Sequence, residues 1–313
     1  MTIGKTVKAL SPAKINLGLD IAERLPNGYH VVRMIMQTLD LCDEVTVRIF
    51  SEAEGSGRIT LACPGTDLPA DRRNLAFRAA ELLLDEFGDR LPGDCGIGIT
   101  IDKRIPVAAG LAGGSGNAAA VLAAVNKLCA LGLSEQELCA RGVKLGADVP
   151  FCLMQGTCLA EGIGEKLTRL PDLTGGCVLL VKPRTGVSTK WAYETWDTAE
   201  EKYHPDIDGM AQLIRESAAR GRAKEEGLVS LAPLLGNSFE PVIFGRYPAV
   251  EQIRNDMLRL GAAGALMSGS GPTVFGIFPD DETMERAAGE MRRLHPDAFT
   301  AQTHVTGPLC LLN

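Results

Sequence analysis

The sequence predicts an α+β protein built as two lobes, and three observations predict it. The chain has 313 residues, more than one small core needs and enough for two. Its first fifty residues carry short strand-like apolar runs, followed by segments of helical period. Near Gly175 the same pattern starts again, which divides the chain into lobes at residues 1–174 and 175–313.

Taken in order, "INLGLDIA", "MIMQTLDL" and "EVTVRIF" read as three strands separated by turn residues such as Pro26-Asn27-Gly28. From Asn74, "NLAFRAAELLLDEF" repeats apolar residues at helical spacing and ends before Gly88, a candidate C-terminal cap. "GIGITID" reads as another strand. Beyond a glycine-rich stretch, Ala118, Val121, Leu122, Val125 and Leu128 mark one face of a helix. "SEQELCARGVKLG" opens a further helix with a capping box, Ser134 as N-cap and Glu137 three residues on. In the second half "CVLLVKP", "GALMSG" and "PTVFGIF" read as strands, and "IDGMAQLIRESAARG" and "AVEQIRNDMLRLGA" as helices. Trp191 to Pro205 is polar without clear period, and reads as a surface insertion or a mobile edge of a cleft.

Composition narrows the function. Apolar residues make up 45% of the chain and charged residues 23%, a globular balance. The net charge of −7 speaks against nucleic acid, whose phosphates are bound by clustered Lys and Arg, and for a small substrate. Nine cysteines form no CxxC pair and the four histidines are scattered, so no metal-ligand spacing can be built and buried thiols in a reducing cytosol are expected. The first residues lack an apolar signal core, and no window approaches the roughly 20 apolar residues of a membrane span. A cytoplasmic protein with no membrane partner is the expectation.

The stretch "PVAAGLAGGSGNAAAV", Pro106–Val121, sets small residues at a helix entrance. A Walker A loop would need Lys-Ser or Lys-Thr after its glycines, and none follows. "GSGNAA" matches G-x-G-x-x-A, but its strand ends near Ile101, too far back for the tight turn of a dinucleotide fold. Beside that weaker dinucleotide reading stand two others: a helix end packed closely on a sheet, or an anion site in which unpaired amides and the helix dipole hold a polyphosphate.

With "PAKINLGL" (Pro12–Leu19), this glycine stretch (Pro106–Ala119) and "MSGSGPTVFGIF" (Met267–Phe278), the sequence resembles the GHMP kinases, whose three motifs fall in this order. "RLPNGYH" and "LGADVPFCLMQGTCLAEGIGE" are most similar to the branch acting on a cytidine-diphosphate-linked alcohol. The resemblance implies an N-terminal ribosomal-S5-like lobe, a C-terminal α/β lobe and a cleft between them. It also implies ATP as phosphoryl donor, Mg²⁺ held mainly through the nucleotide, and a small-molecule cytidine diphosphate substrate, with the chain a monomer or weak homodimer. The alternatives are another small-alcohol kinase of the family, of homoserine or mevalonate type, and a sensor that kept the fold and lost catalysis.

By that resemblance Pro106, Val107, Ala108, Ala109, Gly110, Leu111, Ala112, Gly113, Gly114, Ser115 and Gly116 bind ATP, with Asn74 and Lys103 around the adenine. Asn74 also suits an N-cap, and Lys103 a solvated strand end. Family members usually carry a second Ser at the position of Gly116, so no protein side chain is assigned to the metal. Restoring it with Gly116→Ser is expected to hold or raise activity and to tighten Mg·ATP binding. Phosphorylating an alcohol also needs a proton acceptor. Asp148 of "GADVPF" is the candidate base, with a helix cap or a structural ion pair as its plainer roles. Lys14 is its candidate partner, holding the carboxylate ionised, and Asn16, two residues along a strand, faces the same side. Tyr29 and His30 either form a plain hairpin tip or offer a stacking face and polar groups for cytosine. Ser188, Thr189, Gly269 and Gly271 complete the expected substrate side, with Tyr193 as a further aromatic wall.

Overall fold

A computed structural model describes residues 4–51, 58–90, 95–221 and 227–309; Cys310 lies outside them. Strands β1 (Thr6–Arg24) and β2 (His30–Ser51) form a long antiparallel hairpin about Pro26-Asn27-Gly28, paired from Thr6↔Arg48 to Arg24↔His30. The expected second and third strands are therefore one. The Asp-rich "DLCDE" between them resembles a turn, but Asp43 is buried and finds its partners within the fold, so the strand runs through. Pro12, which has no N–H to donate, lies where the register shifts before Lys14.

The first half continues with β3 (Ile59–Ala62), α1 (Leu75–Phe87), β4 (Cys95–Asp102), α2 (Gly113–Leu128), α3 (Glu135–Gly142), α4 (Val149–Met154), β5 (Thr157–Glu161) and β6 (Lys166–Arg169). Helix α1 buries Ala76, Ala79, Ala80, Leu83 and Leu84 along one stripe. Gly88 does not cap it in the left-handed conformation: its φ is −55° and the chain tightens into a 3₁₀ turn. Helix α2 buries every residue from Gly116 to Val125, wider than the single face read from its sequence, because its alanines let it sink between the sheet and helices α1 and α4. Ser134 and Glu137 form the expected capping box on α3.

The second half holds β7 (Cys177–Lys182), α5 (Thr189–Thr198), α6 (Ile207–Ala219), α7 (Gly227–Ser230), β8 (Gly236–Asn237), α8 (Glu240–Arg246), α9 (Pro248–Arg259), β9 (Gly264–Met267), β10 (Val274–Phe278), α10 (Asp281–Leu294) and β11 (Phe299–His304). Helix α5 replaces the irregular segment expected from Trp191 onward. Its apolar signal is one i,i+4 pair, Ala192 and Trp196, set among polar residues.

Among the described residues the first sheet runs β3-β4-β2-β1-β8, with β5 and then β6 on the β4 edge of β2, and the second runs β11-β7-β10-β9. β8 is a strand of the second half that pairs with β1 of the first, at Gly18 and Leu19. One apolar layer lies between α1, α2 and the first sheet. Another joins Leu17, Ile35 and Leu39 of the hairpin to Val178, Leu180 and Phe275 of the second sheet. The hairpin is thus covered on both faces, which fixes β1 against both halves.

Candidate active site

A cavity of about 610 Å³ opens where β1, the entrance of α2, the residue before α4 and the β9–β10 connection meet. Lys14 and Asn16 project into it from β1. The Lys14 Nζ donates to Asn16 Oδ1 at 2.6 Å, and Asn16 Nδ2 lies 3.3 Å from Met34 Sδ. Asp148 Oδ2 is 3.9 Å from the same ammonium. The Lys14 side chain is 5% exposed, so it is not a solvated strand lysine, while Asp148 at 33% stays open to the cavity. Although Asp148 directly precedes α4, its carboxylate makes no capping bond. Burial first, and then the Asp148 carboxylate, pushes the Tyr193 phenol up to about 12, so these two side chains share one space.

The loop from β4 to α2 takes left-handed backbone at Ala108, Gly110 and Ala112. Gly116 N–H to the Ala112 carbonyl, 2.8 Å, starts the intrahelical ladder, which leaves the amides of Gly113, Gly114 and Ser115 ahead of it. These three residues line the cavity. The third motif lies directly on the loop. Ser268 Oγ donates to the Gly110 carbonyl at 3.0 Å, and a Cβ on Gly110 would stand 2.3 Å from the Ser268 carbonyl oxygen. A Cβ on Gly269 would fall 3.6 Å from Lys14 Nζ and 3.5 Å from Asn16 Oδ1, so three distant segments converge. Asn237, fully buried, donates to the carbonyls of Met267 and Gly269, each at 2.8 Å. Glu240 accepts from Met267 N–H at 2.9 Å, and burial pushes its carboxyl up to about 7.

Gly116 is placed differently from the expectation. It is buried, its amide is already used, and a Cβ there would lie 2.6 Å from Ser11 Oγ and 3.4 Å from the Pro12 carbonyl. A side chain at this position points into β1, not toward the cavity. Gly116→Ser should therefore lower stability by about 1–3 kcal/mol, the usual cost of overpacking, without tightening Mg·ATP binding. Thermal melts of Gly116→Ser and of Gly116→Ser with Ser11→Ala check this, the second change relieving the clash; tighter nucleotide binding in the single variant would reinstate the earlier expectation.

Tyr29, 60% exposed, and Tyr193 both line the cavity. His30 does not; it sits behind the wall, its ring 4.3 Å from that of Tyr193 and its Nε2 2.7 Å from Asp197 Oδ1. Ser188 likewise lies outside the lining and caps α5, while Thr189 lines it and shares a 2.8 Å hydroxyl contact with Ser270. Gly271 and the loop residues Pro106 to Ala109 and Ala112 also line it, whereas Leu111 is buried. Asn74 is both the α1 N-cap, accepting from Ala76 N–H at 3.0 Å, and part of the lining beside Leu68 and Pro69. Lys103 also lines the cavity, but its side chain, 7% exposed, is paired with Asp43 rather than solvated.

Sequence reasoning missed Asp43, Asn117, Asn237 and Glu240. Asp43 stands in the acidic stretch "DLCDE", Asn117 among glycines and alanines, and Asn237 and Glu240 in "GNSFEP"; what marks all four is burial, which local pattern does not carry. Among the described residues a cysteine and a histidine meet at one carboxylate away from the cavity: Asp281 Oδ1 lies 2.8 Å from His304 Nε2 and accepts from Cys177 Sγ at 3.5 Å.

Comparison with known proteins gives consistent matches. Residues 74–156 match the family described as GHMP kinases N terminal domain, and residues 199–297 that described as GHMP kinases C terminal. The 4-diphosphocytidyl-2-C-methyl-D-erythritol kinase of Lachnospira eligens is 44% identical over 303 residues, covering 95% of this chain and 99% of that one. Its counterpart from Acetivibrio thermocellus is 41% identical over 299 residues, covering 96% and 99%. Among solved structures, a 4-(cytidine 5'-diphospho)-2C-methyl-D-erythritol kinase is similar with a TM-score of 0.75 and 34% identity, covering 96% of this chain and 100% of that one. The homoserine kinase of Cytophaga hutchinsonii shares the fold, with a TM-score of 0.72 at 19% identity and coverage of 100% and 98%.

Proposed function

The chain belongs to the GHMP kinase family, and on that premise we propose that it transfers the γ-phosphoryl group of ATP to the 2-hydroxyl of 4-diphosphocytidyl-2-C-methyl-D-erythritol, a step of the non-mevalonate isoprenoid route. It is an ATP-dependent phosphotransferase with an alcohol acceptor. The observation that carries the substrate reading is that one cavity holds the Lys14–Asp148 pair, the open amides of α2 and an aromatic surface from Tyr29 and Tyr193. The amides and helix dipole hold the ATP phosphates. Mg²⁺, carried in on the nucleotide, supplies charge neutralisation at the phosphoryl oxygens.

Asp148 takes the hydroxyl proton as the substrate oxygen bonds to the γ-phosphorus and the bond to ADP breaks. Lys14, 3.9 Å from that carboxylate, lowers the energy of the negative oxygen as it develops during transfer. Asn16 fixes the ammonium by its 2.6 Å bond. The aromatic surface favours a substrate bearing a base over homoserine or mevalonate, which have none to stack. Incubation with γ-labelled ATP, Mg²⁺ and a panel of these alcohols tests the assignment. Label is expected in the cytidine product; label only in another alcohol, or in none, would overturn it.

Tyr29→Ala should weaken the cytidine substrate by about 1–3 kcal/mol, the scale of a lost base–aromatic stack, and leave a non-hydrolysable ATP analogue unaffected. Titration calorimetry with the analogue and with CMP measures both. Collapse of analogue binding with CMP binding intact would move Tyr29 to the adenine side.

A further inference from the structure

We propose that Asp43 is a positioning residue for the nucleotide loop, a buried carboxylate that clamps the two stems of the loop together and sets the entrance of α2 for the ATP phosphates. Asp43 lies on β2 with no exposed surface. Its Oδ1 accepts the amides of Arg104 and Ile105, each at 2.8 Å, the second and third residues after β4 on the way into the loop. Its Oδ2 accepts from Asn117 Nδ2 at 2.9 Å, in the second turn of α2 where the loop has ended, and pairs with the Lys103 ammonium. One side chain thus joins residues on both sides of the glycine stretch to the sheet.

The loop needs such an anchor. Its tip is exposed at Val107, and Ala108 and Ala112 hold left-handed backbone at φ 49° and 56°, which side-chain-bearing residues adopt at a cost. Strained backbone persists only where its surroundings determine it. Asn117 extends the clamp to β1, the strand that carries Lys14, through a 3.0 Å bond to Ser11 Oγ. The Lys103 ammonium lies 2.9 Å from where a Cβ on Gly113 would stand, so the ion pair also sits directly beneath the first helical residue. The carboxylate is satisfied by four donors, and removing its charge strands the Lys103 cation in the interior.

The proposal rests on the reading of the α2 entrance as the ATP phosphate site. Asp43→Asn keeps the shape but turns an amide toward Lys103 and Asn117, both donors. The expected result is a KM for ATP, and a Kd for a non-hydrolysable analogue, raised by about 10-fold or more, the scale of losing a charge-assisted hydrogen bond. The KM for the cytidine alcohol should stay near wild type. A lower melting temperature with unchanged ATP affinity, or equal weakening of both substrates, would make Asp43 merely structural and overturn the proposal. Asn117→Ala removes one arm of the clamp and leaves the ion pair, which covers the case of an unfolded Asp43→Asn. A rise of about threefold in the analogue Kd is expected, with CMP binding intact; no rise would again overturn it. If the wild-type protein failed to bind the analogue while CMP bound, the ATP reading itself would fall, and the clamp with it.

Discussion

Asp148→Asn is expected to bind both substrates and to lose phosphoryl transfer by about 10² or more, the scale of removing a positioned general base. The amide keeps the volume of the carboxylate, and no helix-capping bond is lost because Asp148 makes none. Lys14 remains held by Asn16 at 2.6 Å, so the charge that orients the substrate oxygen stays in place. What disappears is the only proton acceptor of the 3.9 Å pair. Rapid-quench single turnovers with labelled ATP, combined with calorimetric affinities for each substrate, separate the chemical step from binding. Undiminished transfer would leave Asp148 as a countercharge to Lys14 and no more.

The elements of this fold were legible where one period dominated. Helices α1, α6 and α9 bury one stripe each, and β7, β9 and β10 are apolar runs between turn signals, whereas β11, "FTAQTH", is mostly polar and carries no such signal. Two features hid from local pattern for the same reason: a polar residue was satisfied from far away. Asp43 looks like a turn residue until Lys103 and Asn117, distant in sequence, supply its partners. Helix α5 looks irregular because only Ala192 and Trp196 are fully buried, and Asp197 is committed to His30 of the hairpin.

In the candidate site, the resemblance brought Lys14, Asp148 and the glycine loop into view, and geometry then divided the loop. Gly113, Gly114 and Ser115 open to the cavity while Gly116 faces Ser11, a distinction of one helical step that no spacing rule carries. His30 shows the same limit. Tyr29, in the turn ahead of β2, lines the cavity, while His30, the first residue of that strand, packs behind it against the ring of Tyr193.

Gly110→Ala should be severely damaging, because among the described glycines its added methyl group would come nearest to a backbone atom. At φ +75° any side chain costs roughly 1–2 kcal/mol, and forcing volume into a packed contact adds about 1–3 kcal/mol. The new Cβ would stand 2.3 Å from the Ser268 carbonyl and 3.3 Å from that of Gly271. Both are backbone atoms, so no rotamer change relieves the clash. The two loops must separate, which breaks the 3.0 Å bond from Ser268 Oγ to the Gly110 carbonyl and shifts the third motif away from Lys14 and Asn16. A combined loss of about 2–5 kcal/mol in stability is expected. Turnover should fall by about 10² even where the variant is folded, because a small misplacement of reacting groups costs that much. Gly289→Ala is the control: on the exposed face of α10, with nothing within 4 Å of its Cβ, it should gain roughly 0.5–1 kcal/mol. Urea melts and initial rates on both variants check the pair. Wild-type stability and turnover in Gly110→Ala would mean that the second and third motifs do not pack backbone to backbone in solution, and the convergence of three segments on Lys14 would lose its physical basis.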